Sequence, residues 1–389
     1  FVVDKNRNFF FLEMNTRLQV EHPVTELTTG LDLVEQMIKV AAGQPLSFRQ
    51  EDIRISGWSM ECRIYAEDPF SGFLPSTGRL TRYCLPSEEN DKVRVDTGVF
   101  EGGEISIYYD PMIAKLVTRG DDREEAVSLM REALDEYVIR GVQHNIGFLG
   151  ALMNHPKFLS GDFTTNFIAQ EYGEEFNACD VIQQDPALPI VVAGVVHRLY
   201  MDRAAHLSGQ LQGYERRVQD NWVVIIDGIH HDVLVTPFQP DGGYRVIFKG
   251  KNYSVQTDWS FCQPLFRGRI NGRQICFQVE RHGISYRLLR MGGRTDAKVM
   301  TPLAADFFRL MPVQEEQCSS QFLQAPMPGL LIKLSVTEGQ SVRKGDELAI
   351  IEAMKMENIL RAPNEGAIKS VSAKVGDSLN VDQIILEFE

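Results

Sequence analysis

The sequence has no hydrophobic run long enough to cross a bilayer. Its longest, around Val191–Val196, is broken by Gly194 and His197, short of the roughly 20 apolar residues a spanning helix needs. It is also short of positive charge. Lys and Arg number 40 against 53 Asp and Glu, a net charge of -13. That balance excludes the broad basic face that nucleic-acid phosphates require and opposes docking on an anionic membrane. Cysteines are few and scattered: Cys62, Cys84, Cys179, Cys262, Cys276 and Cys318 form no CxxC and have no histidine at metal-ligand spacing. They read as reduced thiols of an intracellular protein. Phe1-Val2-Val3 has no methionine and reads as the inside of a strand, so the sequence is expected to begin part-way through a domain.

What is present is ordinary globular material. The 389 residues are 43% hydrophobic and 24% charged, enough for two or three domains. Residues 1–22 read as a hairpin, with Asp4-Lys5-Asn6-Arg7-Asn8 as the turn and Phe9–Leu12 opening the second strand. Leu31–Ala42 has helical spacing and stops at Gly43. Short β runs fill Trp58–Leu116, and Glu124–Val138 and Ile146–Met153 read as helices, the first amphipathic. Asn177–Pro189 is polar with two prolines and marks a linker. Ile190–Leu207 reads as one helix. Many short strands follow it, with hairpin signals at Asp227-Gly228, Asn271-Gly272 and Gly292-Gly293, a pattern that predicts a β-barrel or sandwich built against that helix. Met300–Leu310 reads as a short helix and Pro312–Phe322 as a flexible linker. The expected fold class is multidomain α+β, with domains at 1–176, 177–312 and 323–389 and a linker at 313–322.

The last segment repeats itself. Gly329-Leu-Leu-Ile-Lys, Gly339 and Glu352 recur as Gly366-Ala-Ile-Lys-Ser, Gly376 and Glu389 at a constant offset of 37 residues. Neither half can bury a core alone, so the two should pair as a pseudo-twofold flattened β-barrel. Lys355, in Glu352-Ala-Met-Lys-Met-Glu-Asn358, falls near the crossover, where a tight hairpin would push it furthest from the barrel. A covalent swinging arm needs such a lysine; an ordinary solvated lysine is the bland alternative.

A second segment alternates. In Glu13-Met-Asn-Thr-Arg-Leu-Gln-Val-Glu21, a strand would place Glu13, Asn15, Arg17, Gln19 and Glu21 on one face and Met14, Thr16, Leu18 and Val20 on the other. A wet sheet face would look the same. The mixture also suits hard oxygen ligands for a divalent metal at Glu13 and Asn15, a guanidinium clamp for a small anion at Arg17, and a general base at Glu21.

Ala353-Met354-Lys355-Met356, with Pro326-Met327-Pro328-Gly329 upstream, resembles the biotinyl domain of biotin-dependent carboxylases. Lipoyl domains share the duplicated fold but usually carry Asp-Lys-Ala at the turn. The resemblance implies covalent biotin on Lys355, with Met354 and Met356 recognised by a biotin protein ligase; the methionines could equally be soft packing under the turn. Phe11-Leu-Glu-Met-Asn-Thr-Arg-Leu-Gln-Val-Glu-His-Pro-Val-Thr-Glu26 closely resembles the active-site strand of biotin carboxylase, an ATP-grasp enzyme. It implies Glu13 and Asn15 as Mg2+ (or Mn2+) residues, Arg17, Gln19 and Val20 as holders of bicarbonate, and Glu21 as its base. Met60-Glu-Cys-Arg-Ile-Tyr-Ala-Glu-Asp-Pro69 resembles a second motif of that enzyme and implies that Arg63 stabilises the biotin enolate. A strand arginine paired to Glu61 or Glu67 is the alternative. Tyr109–Leu116 is a third match, expected to serve the fold. The Gly-rich loop, the ATP-binding lysines and the first acidic metal ligand of the family would lie before Phe1, so this stretch alone is expected to be inactive.

A carboxylase end, a helix-plus-β domain and a biotinyl domain in this order resemble the alpha subunits of acyl-CoA carboxylases. Val196-His-Arg-Leu-Tyr, His206-Leu-Ser-Gly and Leu303–Pro312 look most like the propionyl-CoA branch, with the methylcrotonyl-CoA branch the nearest competitor. A pyruvate carboxylase is disfavoured because no carboxyltransferase barrel separates the two ends. The resemblance implies ATP as co-substrate and a hetero-oligomer with a carboxyltransferase beta subunit, docked through the loop near Gly209–Arg216. It leaves bacterial cytoplasm and mitochondrial matrix both open.

Overall fold

The computed structural model describes the chain except residues 89–90, 107, 174–175, 177–184, 239–242, 313–321, 354–355 and 389. The chain folds as two units, the first being Phe1–Arg63, Ser87–Asp96 and Lys115–Met130. The first unit opens with Val2–Val3 (β1) paired antiparallel to Phe9–Phe10 (β2), followed by helices His22–Thr29 (α1) and Leu33–Ala41 (α2). Pro23 starts α1 and Gly30, at φ +75°, ends it; the Asp32 carboxylate caps α2 by accepting from Glu35 N.

Residues 13–21 are not a strand. After β2 the backbone runs on without ladder partners among the described residues, and Phe11, Leu12, Met14 and Arg17 are all exposed. Alternation signals a strand only where a neighbour supplies hydrogen bonds, and a lone pair of short strands is marginal. The expected second strand through Leu12 likewise stops at Phe10.

Trp58–Tyr65 (β3) and Met112–Gly120 (β6) belong to a three-stranded sheet with Val93–Thr97 (β5), in the order β3–β6–β5. Arg82–Cys84 (β4) pairs instead with Val138–Arg140 (β7), after the long helix Arg123–Glu136 (α3). In β3, Cys62 and Ile64 are buried while Glu61 and Arg63 share the opposite face. Ile146–Asn154 (α4) comes next, its Phe148 and Ala151 packed in an aromatic cluster with Phe167, Tyr172 and Phe176.

Ala187–Ala205 (α5) is apolar all round over Leu188–Val196, the signature of a helix buried on every side. It shares one core with eight antiparallel strands that close into a barrel. These are Asn221–Ile226 (β8), Ile229–Phe238 (β9), Gly243–Phe248 (β10), Lys251–Thr257 (β11), Leu265–Ile270 (β12), Arg273–His282 (β13), Ser285–Arg290 (β14) and Gly293–Met300 (β15). β8 pairs with β15 to remove the sheet edges. At Asp227-Gly228 and Asn271-Gly272 both turn residues sit at positive φ, as two-residue hairpins favour. The turn between β14 and β15 is Met291-Gly292, one residue earlier than the sequence suggests. Met300 completes the barrel, so the following helix (α6) is only Pro302–Phe308, started by Pro302 and capped by the Thr301 hydroxyl.

The final segment forms two four-stranded sheets from Phe322–Gln324 (β16), Gly329–Leu334 (β17), Ser341–Val342 (β18), Glu347–Ala353 (β19), Met356–Arg361 (β20), Gly366–Val371 (β21), Ser378–Leu379 (β22) and Ile384–Phe388 (β23). The orders are β16–β23–β21–β18 and β20–β19–β17–β22, so each sheet takes two strands from each half. The offset of 37 reaches individual bonds. Gly339 N donates to Ile368 O at 2.7 Å, and Gly376 N donates to Leu331 O at 2.8 Å. Arg343 N donates to Asp346 and Asn380 N to Gln383 in the same way, and a register shift after Leu331 recurs after Ile368.

Candidate active site

The site is built on the exposed face of β3. Arg63 donates from Nη2 to Glu21 Oε2 at 3.0 Å and pairs through Nε with Glu61 at 3.4 Å. Two of the sequence-predicted residues, separated by 42 positions, are therefore in contact. Glu61 is one of the two partners the alternative reading of Arg63 offered. Its carboxyl is nearly buried, one oxygen has no hydrogen-bond partner among the described residues, and burial pushes its pKa up despite Arg63 and Lys115 nearby. Glu67, the other anion considered for Arg63, lies beside Asp110; burial, with the Asp110 charge, pushes it up to about 7.

Three tethers hold the segment after residue 17 in place. Lys115 on β6 donates to Val20 O at 3.2 Å and pairs with Asp96 at 2.9 Å. Glu26, buried on α1, accepts from Leu33 N at 2.7 Å and from Arg94 at 2.8 Å. The third is the Glu21–Arg63 pair itself. Arg94 also forks onto Asp96, and the hydrogen bonds from Arg94 and Lys115 outweigh burial and hold the Asp96 carboxyl below its usual range. Lys115 and Asp96 escaped the sequence reading, which had offered Glu61 as a partner of Arg63.

The remaining predicted residues stay apart. Glu13, Asn15, Arg17 and Gln19 are exposed, and among the described residues Arg17 reaches only Leu18 O, at 3.3 Å. Among the described residues no group of three or more His, Cys, Asp and Glu could hold a metal ion. Glu13 and Asn15 are nonetheless hard oxygen donors, and Mg2+ commonly takes only one or two carboxylates, completing its shell with phosphates and water. The donor chemistry fits.

Met354 and Lys355 lie outside the described residues, as does the side chain of Met356. Around them β19 ends at a buried Ala353, which pairs with Met356 at the start of β20. Upstream, Met327 is buried, its Sδ 3.9 Å from the amide of the buried Asn358. Gly329 faces this hairpin so closely that a Cβ there would meet Glu352 O at 2.7 Å, which is why the Pro-Met-Pro-Gly run ends in glycine. Cys62, Cys84, Cys262 and Cys276 are free thiols. Among the described residues, no helix is long and apolar enough to cross a membrane.

Four family models match along the chain, in order. Residues 1–49 match the ATP-binding domain of the carbamoyl-phosphate synthase L chain, and 61–170 the biotin carboxylase C-terminal domain. Residues 190–314 match the propionyl-coenzyme A carboxylase BT domain, and 321–388 the biotin-requiring enzyme model. Together these matches follow the order of domains in a biotin-dependent carboxylase polypeptide. Over its whole length the chain is similar to propionyl-CoA carboxylase alpha chains. It is 46% identical to that of Ruegeria pomeroyi and 39% identical to the human mitochondrial one, with 100% of this chain aligned in each case. The mouse mitochondrial methylcrotonoyl-CoA carboxylase subunit alpha is 35% identical, also over 100% of the chain. The chain spans 60% of the Ruegeria relative and 54% of the human one.

Proposed function

We propose that this chain acts in ATP- and bicarbonate-dependent carboxylation of biotin borne on Lys355, for transfer to propionyl-CoA on a carboxyltransferase beta subunit, giving methylmalonyl-CoA. The observation that carries the reading is the Glu21–Arg63 contact, which joins two separate carboxylase motifs into one site. Bound biotin supplies a ureido nitrogen that carries the carboxyl group. Arg17, Gln19 and the Val20 backbone hold bicarbonate, Glu21 takes its proton, and Arg63 steadies the negative charge that develops beside it. Glu61 orients the Arg63 fork. Glu13 and Asn15 help hold Mg2+ or Mn2+ with ATP. Met354 and Met356 serve recognition by the biotin protein ligase.

The boundaries proposed are 1–176 for the carboxylase end, with its ATP-grasp character, 177–312 for the docking barrel, 313–322 for the linker and 323–389 for a duplicated, flattened biotinyl barrel. Leu207, Leu211 and Tyr214, exposed after α5, make the loop near Gly209–Arg216 a docking hook for the beta subunit in a hetero-oligomer. The bacterial cytoplasm is the proposed location, with the mitochondrial matrix the alternative. The second reading, a methylcrotonyl-CoA enzyme, rests on the 35% identical mouse relative.

The test joins this chain to a carboxylase ATP-binding half and follows ATP cleavage with bicarbonate and free biotin. Activity should appear and fall by roughly a hundredfold in Arg63→Met, the scale of losing one stabilising donor. Unchanged activity in that variant would remove Arg63 and Glu21 from the chemistry. Addition of a beta subunit and either acyl-CoA then separates the two substrate readings.

A further inference from the structure

Far along the chain from the Arg63 site, the second unit contains a cavity of about 420 Å³. One wall is the β7–α4 loop, including His144; the other is β13–β15 of the barrel. Its size is that of a small-molecule site. Leu134, Ile139 and Leu289 supply apolar surface.

The charge of its lining runs against the chain. Four guanidiniums, Arg140, Arg287, Arg290 and Arg294, face two carboxylates, Asp135 and Glu280, within a protein of net charge -13. Three of the four are already engaged. Arg140 pairs with Glu280 and donates to Gln278 at 2.9 Å, while Arg287 and Arg294 both bind Asp296. Arg290 is different: its buried Nε has no hydrogen-bond partner among the described residues, and the Phe277 ring lies beneath its guanidinium, at 5.6 Å. The buried Nδ1 of His144 is also unpartnered among the described residues. Burial and the Arg140 charge hold His144 down to about 4, and burial with the Arg273 and Arg131 charges lowers Arg290. A buried Arg290 N–H without a partner among the described residues and a positive field in a roomy cavity are what an anion would relieve.

We propose that this cavity is a binding site for a phosphate dianion, held by Arg290 and Arg294 with His144 beside it. Free phosphate and the phosphate group of a small organic molecule share this chemistry. Guanidinium forks match phosphate oxygens bidentately. Because the lining comes from both the β7–α4 loop and the barrel, an occupant would bridge them.

The experiment uses the whole chain labelled with 15N-histidine, with His144 assigned by loss of its signals in His144→Asn. Inorganic phosphate and phenyl phosphate are titrated separately at pH 7, with chloride matching ionic strength. The proposal expects a saturable shift of the His144 ring signals and a rise in its pKa of at least one unit. Arg290→Met should weaken binding at least tenfold. Arg294→Gln, at the exposed rim, should weaken it at least threefold, which keeps the test alive if Arg290→Met does not fold. Tighter binding of phenyl phosphate assigns the site to an organic phosphate, and equal binding to free phosphate. No saturable His144 shift, or equal affinity in wild type and Arg294→Gln, overturns the proposal.

Discussion

The seam between α4 and the β14–β15 turn can be tested with two glycines. Gly292 and Gly161 both sit at φ +80°, so alanine at either bears the same left-handed backbone penalty, about 1 kcal/mol. Their surroundings differ. A Cβ on Gly161 meets nothing within 4 Å, whereas one on Gly292 would lie 2.3 Å from Gly147 O and 2.4 Å from Ala151 N. Those are backbone atoms of α4, which cannot rotate away. Overpacking of this kind costs about 1–3 kcal/mol. Gly292→Ala should therefore exceed Gly161→Ala by about 2 kcal/mol, or roughly thirtyfold in an opening equilibrium. Native-state hydrogen exchange of the α4 amides reads that opening directly. Gly150→Ala, whose Cβ would lie 2.6 Å from Gly292 N, should behave like Gly292→Ala. Equal protection of α4 in Gly292→Ala and Gly161→Ala would refute the seam, and the cavity beside it would lose one wall.

Two further predictions concern pH. Burial pushes Asp135 up to about 7, so the folded state binds its proton more tightly than the unfolded chain, and the associated stability is lost as pH rises from about 4 through 7. Asp135→Asn does not titrate and can still accept from Met291 N, so its urea midpoint should exceed that of wild type at pH 8, with the gap closing toward pH 4. His197, packed edge-on against Trp222 and bonded to the Tyr286 hydroxyl at 3.0 Å, is held down to about 4 by burial. Here the folded pKa is depressed, so stability present above about 6.5 drains away as pH falls to 4. His197→Gln should show a shallower fall over that window, read as the slope of midpoint against pH.

The barrel and the paired sheets were legible because their signals are local. Asp227-Gly228 and Asn271-Gly272 specify their own turns, and the apolar run of α5 declares burial on all sides. The repeat at 37 residues was visible as letters and reappears as matched hydrogen bonds. Residues 13–21 failed as a strand because alternation states what a strand would do with its faces, not whether a neighbour exists to pair with it. The site was half legible. Glu21 and Arg63 came from motif resemblance, and no periodicity could show that they touch. Lys115 and Asp96 were hidden because their role is a contact between β5, β6 and the stretch before α1, which no spacing records. The β14–β15 turn was displaced by one residue because Gly292-Gly293 is the commoner signal, yet Met291 accepts a positive φ.

The most direct test of the central claim is intact mass after co-expression with a biotin protein ligase, comparing this chain with Lys355→Arg. The account predicts one biotin increment on the wild-type chain and none on the variant. A folded wild-type chain without the increment, or a variant that still carries it, would contradict the account.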